Sequence, residues 1–307
     1  MGTIIEVQVP KANLTMSEQA FAEFSRLDHL LSSYKPQSEI SRLNRGEVVT
    51  LSPSTQEILE LSRKFAIETK GYFDPTLGAL TQEAYSWKTQ NPTQPTEQKL
   101  QRARGLSGFE KWETLKNPMQ LRQGLKIDLG GVGKGYAVDQ VRKVFEENKV
   151  NEGLIAASGD IYCFQSCVLA VREASGETAP EVGSGHLTPG GRAISTSGRD
   201  IRSDKTGKVH HLLSPKSGMP VSHWRSLTIV AKDSNASLDA WTTALFVMPE
   251  EEALLFLSGK SEWSFLIQTT EGKIVMSENW ETQFLDWSWR ADQKELSIMR
   301  VQQKKKN

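Results

Sequence analysis

Residues 3–9 alternate apolar and polar positions, the period of a strand with one buried face. Ala20, Phe21, Phe24, Leu27, Leu30 and Leu31 then recur at helical spacing between Ser17 and Ser33, which predicts an amphipathic helix. Ile58, Leu61, Phe65 and Ala66 predict a second helix over residues 55–69, with Gly71 as its C-terminal cap. Residues 38–44 read as a polar turn or short helix, and residues 96–104 and 140–148 carry shorter helical patterns. Strands are expected over residues 153–157, 161–171, 192–196, 225–232 and 263–268. Residues 236–248 form a helical pattern that turns apolar towards its end, and the Gly-, Ser- and Pro-rich stretch 173–190 reads as a loop.

The pattern weakens from Met276, so residues 1–275 are expected as one domain and residues 276–307 as an extension. Trp280, Trp287 and Trp289 are expected to pack onto the body, and the closing Gln-Gln-Lys-Lys-Lys-Asn to form a solvated basic tail. Strands and helices do not alternate strictly. The fold class is therefore α+β, or an irregular mixed α/β arrangement, rather than a doubly wound sheet.

Composition narrows the function classes. The 307 residues are 37% hydrophobic and 24% charged, which suits a globular protein. Net charge is zero, so no global basic field attracts nucleic acid and any anion must meet a local site. No apolar run is long enough to span a membrane. The opening Met-Gly-Thr-Ile-Ile-Glu-Val reads as a strand rather than a signal peptide. Two locations are consistent with it: the cytosol, or an exported protein whose targeting segment is absent from this chain. Cys163 and Cys167 lie in a strand-like run without C-x-x-C spacing, and are expected as buried free thiols.

The richest chemistry lies in Asp128-Leu-Gly-Gly-Val-Gly-Lys-Gly-Tyr-Ala-Val-Asp139. Glycines let backbone N–H groups crowd an anion, and a helix start adds its positive end. Gly130, Gly131, Gly133 and Lys134 thus read as a phosphate cradle, against the alternative of a tight strand-to-helix turn. The spacing fits neither a Walker A loop nor a dinucleotide G-x-G-x-x-G.

Asp239 and Thr243 sit four apart in a helical pattern, which places a carboxylate and a hydroxyl on one face. Both are hard oxygen donors of the kind magnesium takes. A first-turn acid and a packed hydroxyl is the plainer reading. His210 and His211 precede a Pro/Gly-rich turn, where a histidine can be a general base or a locally bonded strand-end residue. Ser195-Thr196-Ser197-Gly198 can bind phosphate or turn the chain. Asp74, before Pro75, and Thr76 can face a ligand or form an Asx-type turn. Ser38, Ser41 and Asn44 read on pattern alone as a helix cap.

Taken together and in order, these segments carry a resemblance. The series runs Ser38-x-x-Ser41-x-x-Asn44, Gly71-x-Phe-Asp-Pro-Thr76, Asp128-Leu-Gly-Gly-x-x-Lys-Gly-Tyr-Ala-Val-Asp139, Thr196-Ser-Gly198, His210-His-Leu-Leu-x-Pro-x-x-Gly218 and Asp239-Ala-x-x-Thr-Ala-Leu245. It resembles the FAD:protein FMN transferase family, also called ApbE, over nearly all of residues 1–275. The resemblance implies a two-lobed, T-fold-related mixed α/β architecture with the flavin site between lobes. It implies a magnesium-dependent enzyme that cleaves FAD, passes FMN to a Thr or Ser of an acceptor protein and releases AMP; some members hydrolyse FAD to FMN and AMP instead.

By the same resemblance, Asp239 and Thr243, with the Gly133 carbonyl, would hold magnesium. Lys134 and the amides of Gly130 and Gly131 would hold phosphate, and His211 would deprotonate the acceptor hydroxyl. Ser38, Asn44, Asp74, Thr76, Asp160, Thr196, Ser197 and Gly198 would line the FAD pocket. The chain departs from the family pattern at Ser158, at Ser214, near Cys167, and at Trp241 and Thr242. These departures leave a catalytically degenerate FAD binder as the alternative. Members are mostly exported and often lipid-anchored, which implies the periplasm or cell envelope, with the cytoplasm as the alternative.

Overall fold

In a computed structural model the described residues are 3–85, 87, 94–112, 116–174, 179–199, 209–290 and 297–303. The helices are α1 (Thr15–Leu31), α2 (Glu39–Asn44), α3 (Pro53–Glu68), α4 (Glu97–Leu106), α5 (Gly133–Glu147), α6 (Asn235–Val247) and α7 (Glu250–Ser258). The strands are β1 (Ile5–Gln8), β2 (Leu154–Ala157), β3 (Asp160–Cys163), β4 (Val168–Arg172), β5 (Glu181–His186) and β6 (Arg192–Gly198). They continue with β7 (Trp224–Ala231), β8 (Trp263–Thr269), β9 (Ile274–Ser277), β10 (Ser288–Trp289) and β11 (Ile298–Val301). Helices α2, α3, α4 and α6 start where the sequence supplies caps: the side chains of Ser38, Ser52, Thr96 and Ser234 each accept a backbone N–H three residues on.

Among the described residues an eight-stranded sheet runs β1-β2-β3-β6-β7-β8-β9-β11, and β10-β5-β4 form a second sheet. The large sheet is antiparallel except at its β9–β11 edge. Period-2 alternation divides its faces. Leu227, Ile229, Phe265 and Ile267 pack with α1, α5 and α6. Ile194, Val230, Leu266 and Met276 face Leu169, Val171 and Val182 of the small sheet, together with Trp280 and Phe284. The fold is the expected mixed α/β class.

The C-terminal stretch contributes to both sheets, since β11 pairs with β9 and β10 with β5. Trp280 is fully buried and contacts Phe284 and Trp287, as expected of the tryptophans. Gln303 reinforces the edge, its Nε2 donating to the carbonyls of Lys260 (2.7 Å) and Trp263 (2.8 Å). The lysines of the basic tail lie outside the described residues.

Three expectations are corrected. Cys163 and Cys167 form a disulfide rather than free thiols. The chain turns sharply after β3, which brings their Cα atoms to 6.0 Å, inside the range a disulfide spans. The same turn splits the expected 161–171 strand, so that β3 belongs to the large sheet and β4 to the small one. The expected 173–190 loop contains β5. Its Gly183 and Gly185 give it the composition of a loop, but a Cβ at either would lie within 3 Å of Trp287 or its neighbouring backbone. Glycine is there because an aromatic segment lies against the strand.

No helix among the described residues is long and apolar enough to cross a membrane.

Candidate active site

The glycine block folds as a turn into α5, which begins at Gly133. This helix crosses α6 at very close range: a Cβ on Gly135 would stand 2.2 Å from the Asn235 carbonyl oxygen, so only glycine fits there. Asp139, one turn further along α5, accepts from the amides of Asn235 (2.9 Å) and Ala236 (2.8 Å). That carboxylate satisfies orphan donors at the α6 N-terminus. The Asn235 Nδ2 donates to the carbonyls of Ile161 (2.8 Å) and Ile194 (3.0 Å), tying the same helix end to β3 and β6.

This joint brings together three charged groups that are far apart in sequence. The Lys134 Nζ lies 2.9 Å from Asp160 Oδ2 and 3.1 Å from Asp239 Oδ1. Asp239 Oδ2 also accepts from the Gly135 amide at 3.1 Å. Asp160 is completely buried, and its Oδ1 accepts from the Ser195 hydroxyl at 2.6 Å. Burial, and then the neighbouring Asp239, push the Asp160 carboxyl above its ordinary value, although Lys134 and Ser195 pull it back. Burial works against the Lys134 ammonium, but Asp160 and Asp239 outweigh it and hold its pKa above the usual lysine value. Two carboxylates against one ammonium leave a surplus of acceptor capacity.

Thr243 stands one turn beyond Asp239 on α6, with its hydroxyl towards the glycine turn. A Cβ on Gly131 would lie 2.8 Å from Thr243 Oγ1. Gly131 thus packs directly against the Thr243 side chain, with no room for a side chain of its own. The hard-oxygen donor set of Asp239 and Thr243 suits magnesium and not a soft metal. No group of three or more His, Cys, Asp or Glu side chains suited to a metal occurs among the described residues. A magnesium site would therefore draw on hydroxyl, carbonyl, phosphate and water oxygens beside Asp239.

The other expected residues make hydrogen bonds within the chain. Asn44 grips the segment before the glycine turn: its Nδ2 donates to the Ile127 carbonyl (2.8 Å) and its Oδ1 accepts the Ile127 amide (2.7 Å). Asp128 accepts from the Gly130 amide at 2.8 Å and from the Thr81 hydroxyl. Asp74 and Thr76 make the Asx-type turn, with Asp74 Oδ1 accepting the Thr76 amide (2.8 Å) and hydroxyl (2.6 Å). They also clamp residues 108–109, since Gly108 donates to Thr76 Oγ1 (2.8 Å) and Phe109 to Asp74 Oδ2 (3.1 Å). Burial raises the Asp74 carboxyl, partly offset by the Thr76 and Phe109 hydrogen bonds. Ser38 is buried and caps α2.

Strand β6 separates its three hydroxyls. Ser195 and Ser197 face α6, whereas Thr196 faces the opposite side and meets the Thr228 hydroxyl at 3.0 Å. Gly198 ends β6. His211 is half-buried and lies on the 209–221 strap, beside a fully buried His210 that packs edge-on to Phe246. The Ser214–Gly218 turn of this strap closes through Gly218 N–H to Ser214 O (2.7 Å), with Gly218 at φ +70°. Tyr85 and Arg104 hold it by donating to the Gly218 (3.0 Å) and Lys216 (2.7 Å) carbonyls.

Sequence reasoning did not single out Asn235 and Thr81 as supports, or assign Asp139 a role. A mid-chain Asn before an apolar helix carries no pattern beyond an N-terminal preference.

The model of the ApbE family matches residues 1–266. A FAD:protein FMN transferase of Klebsiella pneumoniae is 23% identical over 90% of this chain and 89% of that protein. One of Chlamydia muridarum is 29% identical over 76% and 75%. Among solved structures, the ApbE protein of Thermotoga maritima superposes with a TM-score of 0.79 at 26% identity, covering 92% of this chain and 95% of that one. The flavin transferase ApbE of Vibrio cholerae shares the fold, with a TM-score of 0.76 at 24% identity over 93% and 96%. With the family model matched over residues 1–266 of its 307, this chain belongs to the ApbE family.

Proposed function

We propose that the protein is a FAD:protein FMN transferase that uses magnesium, releases AMP and transfers FMN to a Thr or Ser of an acceptor protein. The observation that carries the reading is the Lys134–Asp160–Asp239 cluster beside the Gly131–Thr243 contact. Phosphoryl transfer needs positioning and charge neutralisation more than covalent help from the protein. Magnesium, when bound, supplies Lewis-acid neutralisation of the pyrophosphate.

Asp239, Thr243 and the Gly133 carbonyl would hold that ion. Lys134 and the Gly130 and Gly131 amides would hold phosphate oxygens. His211 would take the proton from the acceptor hydroxyl as its oxygen bonds to the FMN phosphorus and AMP departs. Asn44, Asp74 and Thr76 shape the wall by fixing residues 108–109 and 127–128. Thr196 turns its hydroxyl to the other face of β6, towards Thr228.

The Cys163–Cys167 disulfide supports a location in the cell envelope, because such bonds persist in oxidising compartments.

The test is incubation with FAD and magnesium, with and without EDTA, and with and without an acceptor peptide, followed by chromatography of FAD, FMN and AMP. Metal-dependent AMP with FMN on the peptide is the expected result. Free FMN would make the protein a FAD hydrolase. Flavin co-eluting with the protein without AMP would make it a binder only.

A further inference from the structure

A buried layer of hydroxyls lies beneath the charged cluster. Thr242 is fully buried on α6, between Asp239 and Thr243 in sequence but on the face turned to β6. Its Oγ1 accepts from Ser197 Oγ at 2.9 Å, lies 3.2 Å from Ser195 Oγ and 3.1 Å from the Asp239 carbonyl. Ser195 in turn donates to Asp160 Oδ1 at 2.6 Å.

Counting protons orders this layer. Ser195 has one hydroxyl hydrogen, and the short contact commits it to the Asp160 carboxylate. Ser197 commits its hydrogen to Thr242. Thr242 is then left to donate either to Ser195 or to its own Asp239 carbonyl. In the first arrangement three O–H groups point the same way, from Ser197 through Thr242 and Ser195 to Asp160. Hydrogen bonds aligned head to tail polarise one another in a dry interior. In the second, Thr242 pins the α6 turn that carries Asp239. The first arrangement joins Thr242 through Ser195 to the Asp160 carboxylate, and the second joins it to the backbone of the residue that carries the other.

We propose that Thr242 is a positioning residue for the transfer reaction: its hydroxyl completes a Ser197–Thr242–Ser195 relay that fixes Asp160, and through Asp160 the Lys134 ammonium. The inference rests on the flavin-transfer reading for its kinetic consequence, and on geometry alone for its structural one. Thr242 touches no reacting atom. It acts by keeping one Asp160 oxygen occupied, so that the other stays aimed at Lys134.

The experiment compares wild type with T242V, T242S and S195A. Kinetics of AMP release from FAD, thermal melting and crystal structures of wild type and T242V are measured. T242V keeps the shape of the side chain but removes the hydroxyl. Its kcat is expected to fall about tenfold, the scale of one misplaced hydrogen bond, with KM for FAD within about twofold. T242S restores the hydroxyl and is expected to return kcat to within about threefold of wild type. S195A is expected to match T242V. In the T242V crystal the Asp160 carboxylate is expected to turn away from Lys134.

A T242V enzyme with wild-type kcat overturns the proposal, as does a T242S enzyme slowed as much as T242V at equal melting temperature. The latter would make the packed methyl the important group. If wild type releases no AMP, the flavin-transfer reading fails instead. The crystals then decide the relay, and an unchanged Lys134–Asp160 contact in T242V overturns it.

Discussion

Two buried carboxylate sites face each other across the glycine turn's surroundings in chemistry, if not in space: Asp74, and the Asp160–Asp239 pair. Asp74 accepts three hydrogen bonds from neutral donors supplied by Thr76 and Phe109. Its partners are local or hold one loop, and the site is closed. Asp160 and Asp239 share a single ammonium and carry more acceptor capacity than it can meet. The difference separates a carboxylate used as a fastener from carboxylates held ready for a cation and a phosphate. Asp74 and Asp239 both sit within the motifs that carry the family resemblance, so motif membership alone does not tell the two kinds of acid apart.

Removing the shared cation tests the contrast most severely. Lys134→Ala leaves two buried carboxylates facing each other, and should cost about 3–5 kcal/mol of stability besides abolishing turnover. Urea unfolding measures it, and a loss under 1 kcal/mol would mean water already screens the pair. Asp239→Asn keeps the shape and removes the charge. AMP release should fall about 10²–10³-fold, the scale set by loss of one preorganised electrostatic group. Unchanged turnover would remove Asp239 from the metal site.

The fastener should behave differently. Asp74→Ala should lower stability by about 1–3 kcal/mol, because the Thr76 and Phe109 donors lose a buried partner. KM for FAD should then change less than threefold, and a rise beyond tenfold would show that Asp74 also contacts the nucleotide.

The smallest effect belongs to Asp139, whose carboxyl burial raises to about 6 against the pull of the Ala236 and Asn235 amides. A raised value means the folded state holds the proton more tightly than the unfolded chain. Stability from this group is present below the ordinary aspartate value and is lost as pH climbs through about 6. The difference in melting temperature between wild type and Asp139→Asn should therefore drift against wild type between pH 4 and 6. A drift of opposite sign would show that the α6 N-terminus outweighs burial.

The amphipathic helices and the glycine block were legible in the sequence because each writes a local period or spacing. Phe24, Leu27 and Leu31 recur at helical intervals and are buried together. Asp239 and Thr243 keep an ordinary structural reading on pattern alone, and only the ordered resemblance singles them out. What escaped is what tertiary contact decides. The run 161–171 looks continuous, but its midpoint is folded by a disulfide that no local rule announces. Strand β5 reads as loop because Trp287 demands glycine against it. The sides taken by Ser195 and Thr196 on β6 depend on register, which a short polar run cannot specify.

The near-contact of Gly135 with Asn235 has a consequence for motion. Helices that meet through side chains can slide by exchanging rotamers, but backbone against backbone has no such slack. The helices α5 and α6 must therefore move as one piece, carrying Lys134 and Asp239 at fixed separation. Any adjustment between an empty and an occupied site therefore falls outside this helix pair.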